Sequence, residues 1–182
     1  MKKIYYAFSK IGGSGLFASR KINNDQIILR VLGTKIIHHR YTLKFSQTGP
    51  NWLAIGKEKW LVPSDKNPWS YINHSCDPNS GFRGTRTIVA MRTINEDEEI
   101  TIDYSITEGD PYWRMICHCD AKQCRKIIVS AGLQPELLLK YKTYLPNFLK
   151  KHCDITLPGG VASQQLQQKI FCETKIELQC YR

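Results

Sequence analysis

Acidic residues are scarce in this chain. Sixteen Asp and Glu stand against 26 Lys and Arg among 182 residues, giving a net charge of +10 and a pI near 9.3. Long apolar runs are also missing. Stretches such as residues 26–29 and 137–139 fall far short of the roughly 20 residues that span a bilayer. The opening residues, Met1-Lys-Lys-Ile-Tyr-Tyr6, carry two lysines but no sustained apolar segment, so no secretory signal is expected. No internal repeat or low-complexity tract occurs. Disorder, collagen and coiled coil are therefore excluded as whole-chain readings. What is there is ordinary for a globular protein: 42% hydrophobic and 23% charged residues. The length favours one domain, with room for a helical appendage and a core that needs no disulfides.

The positive charge first suggests nucleic acid. Its distribution complicates that. Residues 1–60 hold 11 basic and 2 acidic residues, whereas residues 61–130 hold 8 basic and 10 acidic. The seven cysteines are Cys76, Cys117, Cys119, Cys124, Cys153, Cys172 and Cys180. An odd count argues against a secreted disulfide scaffold. Cys117-His-Cys119-Asp-Ala-Lys-Gln-Cys124 is a C-x-C-x4-C cluster, dense enough to converge on one tetrahedral Zn²⁺. The bland alternative is three buried thiols that meet no metal. A structural site wants a fourth ligand, either His118 or a distant thiolate such as Cys76. His118 sits between two ligands and would point away, which favours Cys76.

Short β-rich segments dominate the first two thirds. Strands are expected over residues 4–11, 16–18, 27–32, 87–91 and 100–104. A hairpin is expected from 52–55 and 60–62 around a turn at 56–59. Gly12-Gly-Ser-Gly15 breaks the first strand, 63–68 is a loop, and Asn95 to Glu98 is an acidic turn. Residues 35–48 are basic and carry no clear signal. After Gly132 the pattern becomes helical, with Pro135 suited to a first turn. Leu138, Tyr141, Leu145, Phe148 and Leu149 form a stripe, interrupted at Pro146, that is best read as packing on the β part. A short helix and a last strand are expected within 161–182. The fold class expected is mostly β with a helical C-terminal appendage.

Three separated segments, in order, resemble the SET-domain protein lysine methyltransferases with a post-SET zinc segment. They are Lys10-Ile-Gly-Gly-Ser-Gly15-Leu-Phe-Ala18, Tyr71-Ile-Asn73-His74-Ser-Cys76-Asp-Pro-Asn79 and Glu98-Glu-Ile-Thr-Ile-Asp103-Tyr104, trailed by the Cys117 cluster. The resemblance covers roughly residues 4 to 128. It implies small β-sheets around a pseudoknot, in which the Tyr104 segment passes through a loop near Asn73 and His74. It divides the chain into a SET domain at 4–116, a post-SET zinc segment at 117–128 and a mainly helical extension at 133–182. It also implies S-adenosylmethionine as methyl donor, a protein lysine as acceptor and one structural zinc.

By the same resemblance, Gly13, Ser14, Gly15, Leu16, Tyr71, Asn73 and His74 would bind the donor, with Trp113 over its adenine. Cys76 would join Cys117, Cys119 and Cys124 around zinc. Tyr104 would be catalytic, and Ile102 with Tyr104 would line the lysine channel. Read without that company, the glycines are an ordinary turn, Asn73 and His74 satisfy a loop, Tyr104 is a core tyrosine, and Trp113 with Tyr112 is packing.

Four departures stand out. Ser70 precedes Tyr71 where the family often has Arg. Ile102 stands where Phe or Tyr is usual, and because it cannot hydrogen-bond a water, di- or trimethylation is expected. No cysteine-rich segment precedes the domain, and the insert between Val31 and Asn73 is short. The substrate expected is a lysine-containing protein or peptide, histone-like or otherwise basic. Residues 1–60 are a candidate second surface near nucleic acid. The acidic residues of the middle third, among them Asp65, Asp77, Asp103, Glu108, Asp110 and Asp120, are candidates to flank the peptide groove, with a solvated turn at 96–99. The location expected is intracellular, cytoplasmic or chromatin- or nucleoid-associated, or that of a delivered effector in a bacterial, viral or other minimal form. The competing readings are a catalytically silent SET-like binding module and a basic, zinc-containing nucleic-acid-binding protein.

Overall fold

The structure is a computed structural model that describes residues 3–38, 51–56, 59–64, 67–110 and 112–152. It begins with a hairpin of β1 (Ile4–Phe8) and β2 (Ser14–Ala18), paired from Ile4 opposite Ala18 to Phe8 opposite Ser14. The first strand is shorter than its sequence suggests. Ser9 Oγ accepts the Ile11 N–H and turns the chain early. Then come β3 (Ile27–Arg30), β4 (Gly33–His38), β5 (Leu53–Gly56) and β6 (Lys59–Pro63). The expected hairpin of residues 52–62 is present as β5 and β6, and β4 pairs on the other side of β6. β4 begins the basic stretch that carried no signal. Residues 39–50 lie outside the described residues.

A turn of 3₁₀ helix, Pro68–Tyr71, leads into β7 (Asn73–His74). β8 (Ser80–Arg83) and β9 (Thr87–Ala90) complete a three-stranded sheet in the order β3-β9-β8. β9 is central, and Ile88, Val89 and Ala90 are all buried, which explains its unbroken apolar run. β10 (Thr101–Ile102) pairs parallel with β7, Thr101 opposite Asn73 and Ile102 opposite His74. This register lays the Tyr104 segment beside the Asn73-His74 segment.

The expected strand at 100–104 shrinks to two residues for a physical reason. The Asp103 side chain accepts the Ser105 N–H and starts a 3₁₀ turn over Tyr104–Ile106. Alternation also misleads about its faces, since Ile100, Thr101, Ile102 and Asp103 are all buried. β11 (Arg114–Ile116) and β12 (Ile127–Val129) form a small hairpin around the cysteine loop.

The helical tail comprises α1 (Pro135–Tyr141) and α2 (Asn147–His152), joined by a 3₁₀ turn at Lys142–Tyr144. Lys142 leaves helical geometry with φ 36° and ends α1. Leu138, Tyr141, Leu145, Phe148 and Leu149 are all buried in the same core as Leu16, Phe82 and Ile102. The stripe therefore packs on the β part, as its spacing predicts. At about 25 cal/mol per Å², each such side chain contributes about 2 kcal/mol of burial. No helix among the described residues is long and apolar enough to cross a membrane. Cys153, Cys172, Cys180 and the elements expected within 161–182 lie outside the described residues.

Candidate active site and metal centre

Tyr104 sits where the main core meets a second cluster built on the cysteines. Its hydroxyl donates to the Ile72 carbonyl at 2.8 Å, and its N–H donates to His74 Nδ1 at 3.0 Å. Burial, with the Glu99 charge adding to it, pushes the phenol up to about 12. Tyr104 is thus a neutral hydroxyl with its proton committed to a backbone carbonyl. Its lone pairs are left to accept.

The hairpin turn between β1 and β2 lies against β7. Asn73 Nδ2 donates to the Ser14 carbonyl at 3.2 Å and to Glu99 Oε1 at 2.8 Å. Its Oδ1 lies 3.8 Å from where a Cβ on Gly12 would stand. Glu99 Oε2 accepts the Ser9 hydroxyl at 2.9 Å, so one carboxylate clamps both ends of the turn. Gly13 has φ 57°, a left-handed conformation that glycine adopts freely. A Cβ on Gly15 would stand 2.5 Å from Glu99 Oε1. Gly15 is required by this close approach and Gly13 is favoured by its φ, while a Cβ on Gly12 would make only ordinary contact with Asn73.

Cys76, Cys117 and Cys119 converge, whereas Cys124 touches Cys117 but lies outside the group of metal-capable atoms within 4.8 Å of one another. Cys117 Sγ lies 3.8 Å from Cys76 Sγ and 3.6 Å from Cys124 Sγ. Cys119 Sγ accepts the Cys76 N–H at 3.3 Å. The Cys76–Cys117 separation suits two ligands of one tetrahedral ion. Burial drives the Cys117 thiol well up. At Cys119, burial also pushes upward, but N–H donors from Cys76 and Ala121 outweigh it and bring the thiol to about 7.

His74 also reaches the cluster. One ring nitrogen and the sulfurs of Cys76, Cys117 and Cys119 lie within 4.8 Å of one another. Its hydrogen bonds assign it a different part. Nδ1 accepts from Tyr104, so the proton sits on Nε2, which faces Cys76 Sγ at 3.3 Å. Burial lowers the imidazole to about 4, against an upward pull from Asp103, and keeps it neutral. His74 is therefore a donor to the Cys76 sulfur, the kind of hydrogen bond that orients a thiolate where it holds a metal. His118 is exposed and outside the group.

The sequence-predicted residues divide into two sets. Gly13, Ser14, Gly15, Asn73, His74 and Tyr104 come together, and half-buried Trp113, like Tyr104 and Ile11, packs against the cluster of Cys76, Cys117, Cys119 and Ile128. Tyr71 stands at the edge, its ring 4.6 Å from that of Tyr6. Leu16 and Ile102 are fully buried in the main core. Glu99, Ser9, Arg125 and Tyr141 were not legible as site residues. Glu99 reads as part of an acidic turn, and Arg125 reads only as a residue after a cysteine.

Of the acidic residues of the middle third, Asp77 and Asp120 are exposed. Asp103, Glu108 and Asp110 are buried. Glu108 Oε1 accepts from the Trp60 indole and from two backbone N–H groups. These carboxylates are spent on interior hydrogen bonds. Glu96 and Asp97 are exposed, as a solvated turn requires.

Comparison with known proteins agrees with this geometry. A SET domain family profile matches residues 13–105. "Histone-lysine N-methyltransferase 2D" from Homo sapiens is 29% identical over 136 residues, covering 68% of this chain and 2% of that protein. "Histone-lysine N-methyltransferase, H3 lysine-4 specific" from Aspergillus oryzae is 31% identical over 140 residues, covering 68% and 11%. "Histone-lysine N-methyltransferase trr" from Drosophila melanogaster is 32% identical over 136 residues, covering 68% and 6%. The chain thus spans only a small part of the length of these curated relatives. The matched segment holds the glycine turn, Asn73, His74, Cys76 and Tyr104, and the chain belongs to the SET domain family.

Proposed function

We propose that this chain is an S-adenosylmethionine-dependent methyltransferase acting on lysine side chains of a basic, histone-like protein. The observation that carries the reading is Tyr104. It is a buried, neutral phenol tied to the Ile72 carbonyl, beside the strand that bears Asn73 and His74. The donor would supply a sulfonium methyl; the neutral lysine nitrogen would attack that carbon in line, the N–C bond forming as the C–S bond breaks and its electron pair leaves on sulfur, and the methylated nitrogen would then shed a proton to water.

The residues present fit that chemistry. Asn73 Oδ1, facing the Gly12 turn, is an acceptor for the donor's ammonium. The Tyr104 lone pairs accept weak C–H···O contacts from a polarised methyl. Desolvation near Tyr104 lowers the acceptor lysine from its free value of about 10.4. Tyr104 cannot act as the base near neutral pH, because its own proton is held to about 12. Alignment is its contribution.

Cys76, Cys117, Cys119 and Cys124 would hold one structural zinc. A tetrahedron with Zn–S near 2.3 Å has sulfur separations of about 3.8 Å, which the Cys76–Cys117 distance of 3.8 Å meets. The ion would fix the loop that carries His74 against the post-SET hairpin. The domain division at 4–116, 117–128 and 133–182 and an intracellular, chromatin-associated setting follow from the same reading. The basic N-terminal third would keep the enzyme near nucleoprotein. Of Lys35 only the backbone is described, and Arg40 and Lys44 lie outside the described residues. Replacing all three is expected to weaken activity on nucleoprotein and spare a free peptide, and equal loss on both removes this role.

Labelled-methyl transfer to a panel of histones, other basic chromatin proteins and ribosomal proteins tests the proposal. Tyr104→Phe is expected to lower transfer by on the order of a hundredfold. Equal incorporation by wild type and Tyr104→Phe would remove Tyr104 from catalysis.

A further inference from the structure

Asp103, the residue before Tyr104, carries a fully buried carboxylate. Its Oδ1 takes the Arg125 guanidinium at 2.6 Å and the Ser105 N–H at 3.0 Å. Its Oδ2 takes the Tyr141 hydroxyl at 2.7 Å. Arg125 comes from the post-SET hairpin and Tyr141 from α1. Arg125 also reaches Ser105 Oγ at 3.2 Å and, through its backbone N–H and Nε, Cys76 Sγ at 3.3 and 3.4 Å. Two elements beyond residues 13–105 therefore converge on one carboxylate.

Packing alone gives no reason for this. A buried ion pair is often no more stable than apolar residues of the same volume, yet removing one partner is costly. What such a network does supply is fixed geometry. Asp103 sits at φ −83° and ψ 114° and starts the 3₁₀ turn that aims Tyr104. On the other side, His74 Nδ1 holds the Tyr104 N–H. The link from Asp103 to Tyr104 is thus gripped from the post-SET hairpin, from α1 and from β7.

We propose that Tyr141 and Arg125 are positioning residues for Tyr104, acting through Asp103, so that α1 is a working part of the active centre. The inference rests on the assignment of Tyr104 to methyl transfer. Tyr141 is itself 2% exposed and far from being a surface group. Its hydroxyl is held in the neutral, donating form, because burial and then the Asp103 charge drive its ionisation well up.

The test uses the full, metal-loaded chain and three variants. Tyr141→Phe keeps the ring and deletes the O–H. Arg125→Lys keeps the charge and loses the fork that reaches several partners. Leu138→Ala, in the same helix and 3% exposed, removes packing and deletes none of the hydrogen bonds to Asp103. Assayed well below every melting midpoint, Tyr141→Phe and Arg125→Lys are expected to lower kcat about tenfold, with KM for donor and peptide within about twofold. Leu138→Ala is expected to lower the melting temperature at least as much and leave kcat within about twofold. With ¹³C-labelled tyrosine rings, the Tyr104 NMR signal, assigned by its absence in Tyr104→Phe, is expected to shift in Tyr141→Phe and stay in place in Leu138→Ala.

Wild-type kcat in Tyr141→Phe, or kcat falling in step with stability across all three variants, overturns the inference. So does an unmoved Tyr104 signal. If the wild type transfers no methyl to any substrate, the methyltransferase reading fails, and the Tyr104 signal alone then decides whether Tyr141 positions that ring.

Discussion

Replacing Gly15 by alanine tests the architecture of the candidate donor site at one atom. The new Cβ would stand 2.5 Å from Glu99 Oε1, 2.9 Å from Ser9 Cβ and 3.0 Å from Glu99 Cδ. Ordinary contact begins near 3.4 Å, so the Glu99 tip must move by about 0.9 Å. A free glutamate would swing aside at little cost. This one is pinned, with Oε1 on Asn73 and Oε2 on Ser9. Moving it forfeits at least one charge-assisted hydrogen bond, worth about 1.5–3 kcal/mol. Alanine recovers up to about 1 kcal/mol by stiffening the unfolded chain. The net cost expected is about 0.5–3 kcal/mol in urea unfolding. The informative measurement is the same substitution in a Glu99→Ala background. There the clash with the carboxylate is gone, and the coupling energy of the cycle should be at least about 1 kcal/mol. Donor affinity should fall with Gly15→Ala as well, because Asn73 loses its tether. An equal cost in both backgrounds would refute the clamp.

Metal analysis should find about one zinc per chain, lost on Cys119→Ser together with much of the thermal stability. The raised Tyr104 ionisation has a signed consequence. Between about pH 10, where the unfolded phenol ionises, and about pH 12 the folded state holds the extra proton, so stability should fall as pH rises through that window. Below that window the rate should show no limb from Tyr104, and a Tyr104 ionisation near 10 in a pH titration of the folded chain would contradict its burial. Ile102, fully buried and without a donor or acceptor, should permit di- or trimethylated product, and Ile102→Tyr should shift the product toward monomethyl. Monomethyl-lysine alone from the wild type with excess donor would remove that role.

Much of the site was legible in the sequence because its chemistry depends on rare residue types at fixed spacing. The Cys117, Cys119 and Cys124 thiols need a tight loop to meet, and the chain has one there. Asn73 and His74 announce themselves through the surrounding motif. The stripe from Leu138 to Leu149 was legible because helical burial repeats every three or four residues. The missing parts are of another kind. β7 and β10 are two residues each, and no periodicity can be read from two residues. Asp103 alternates as though it faced solvent, and its burial makes sense only once Arg125 and Tyr141 are seen to reach it. Glu99 sits in a run of four acidic residues, of which Glu96 and Asp97 are exposed. Tertiary partners decide its role, and a linear pattern does not hold them.

The central claim is methyl transfer to lysine at Tyr104. Its most direct measurement is hydrolysis and amino-acid analysis of a basic protein incubated with this chain and methyl-labelled S-adenosylmethionine. The account predicts label in N-methylated lysine, dependent on the Tyr104 hydroxyl. Label confined to other residues, or none above a chain-free control for any substrate in the panel, would contradict it.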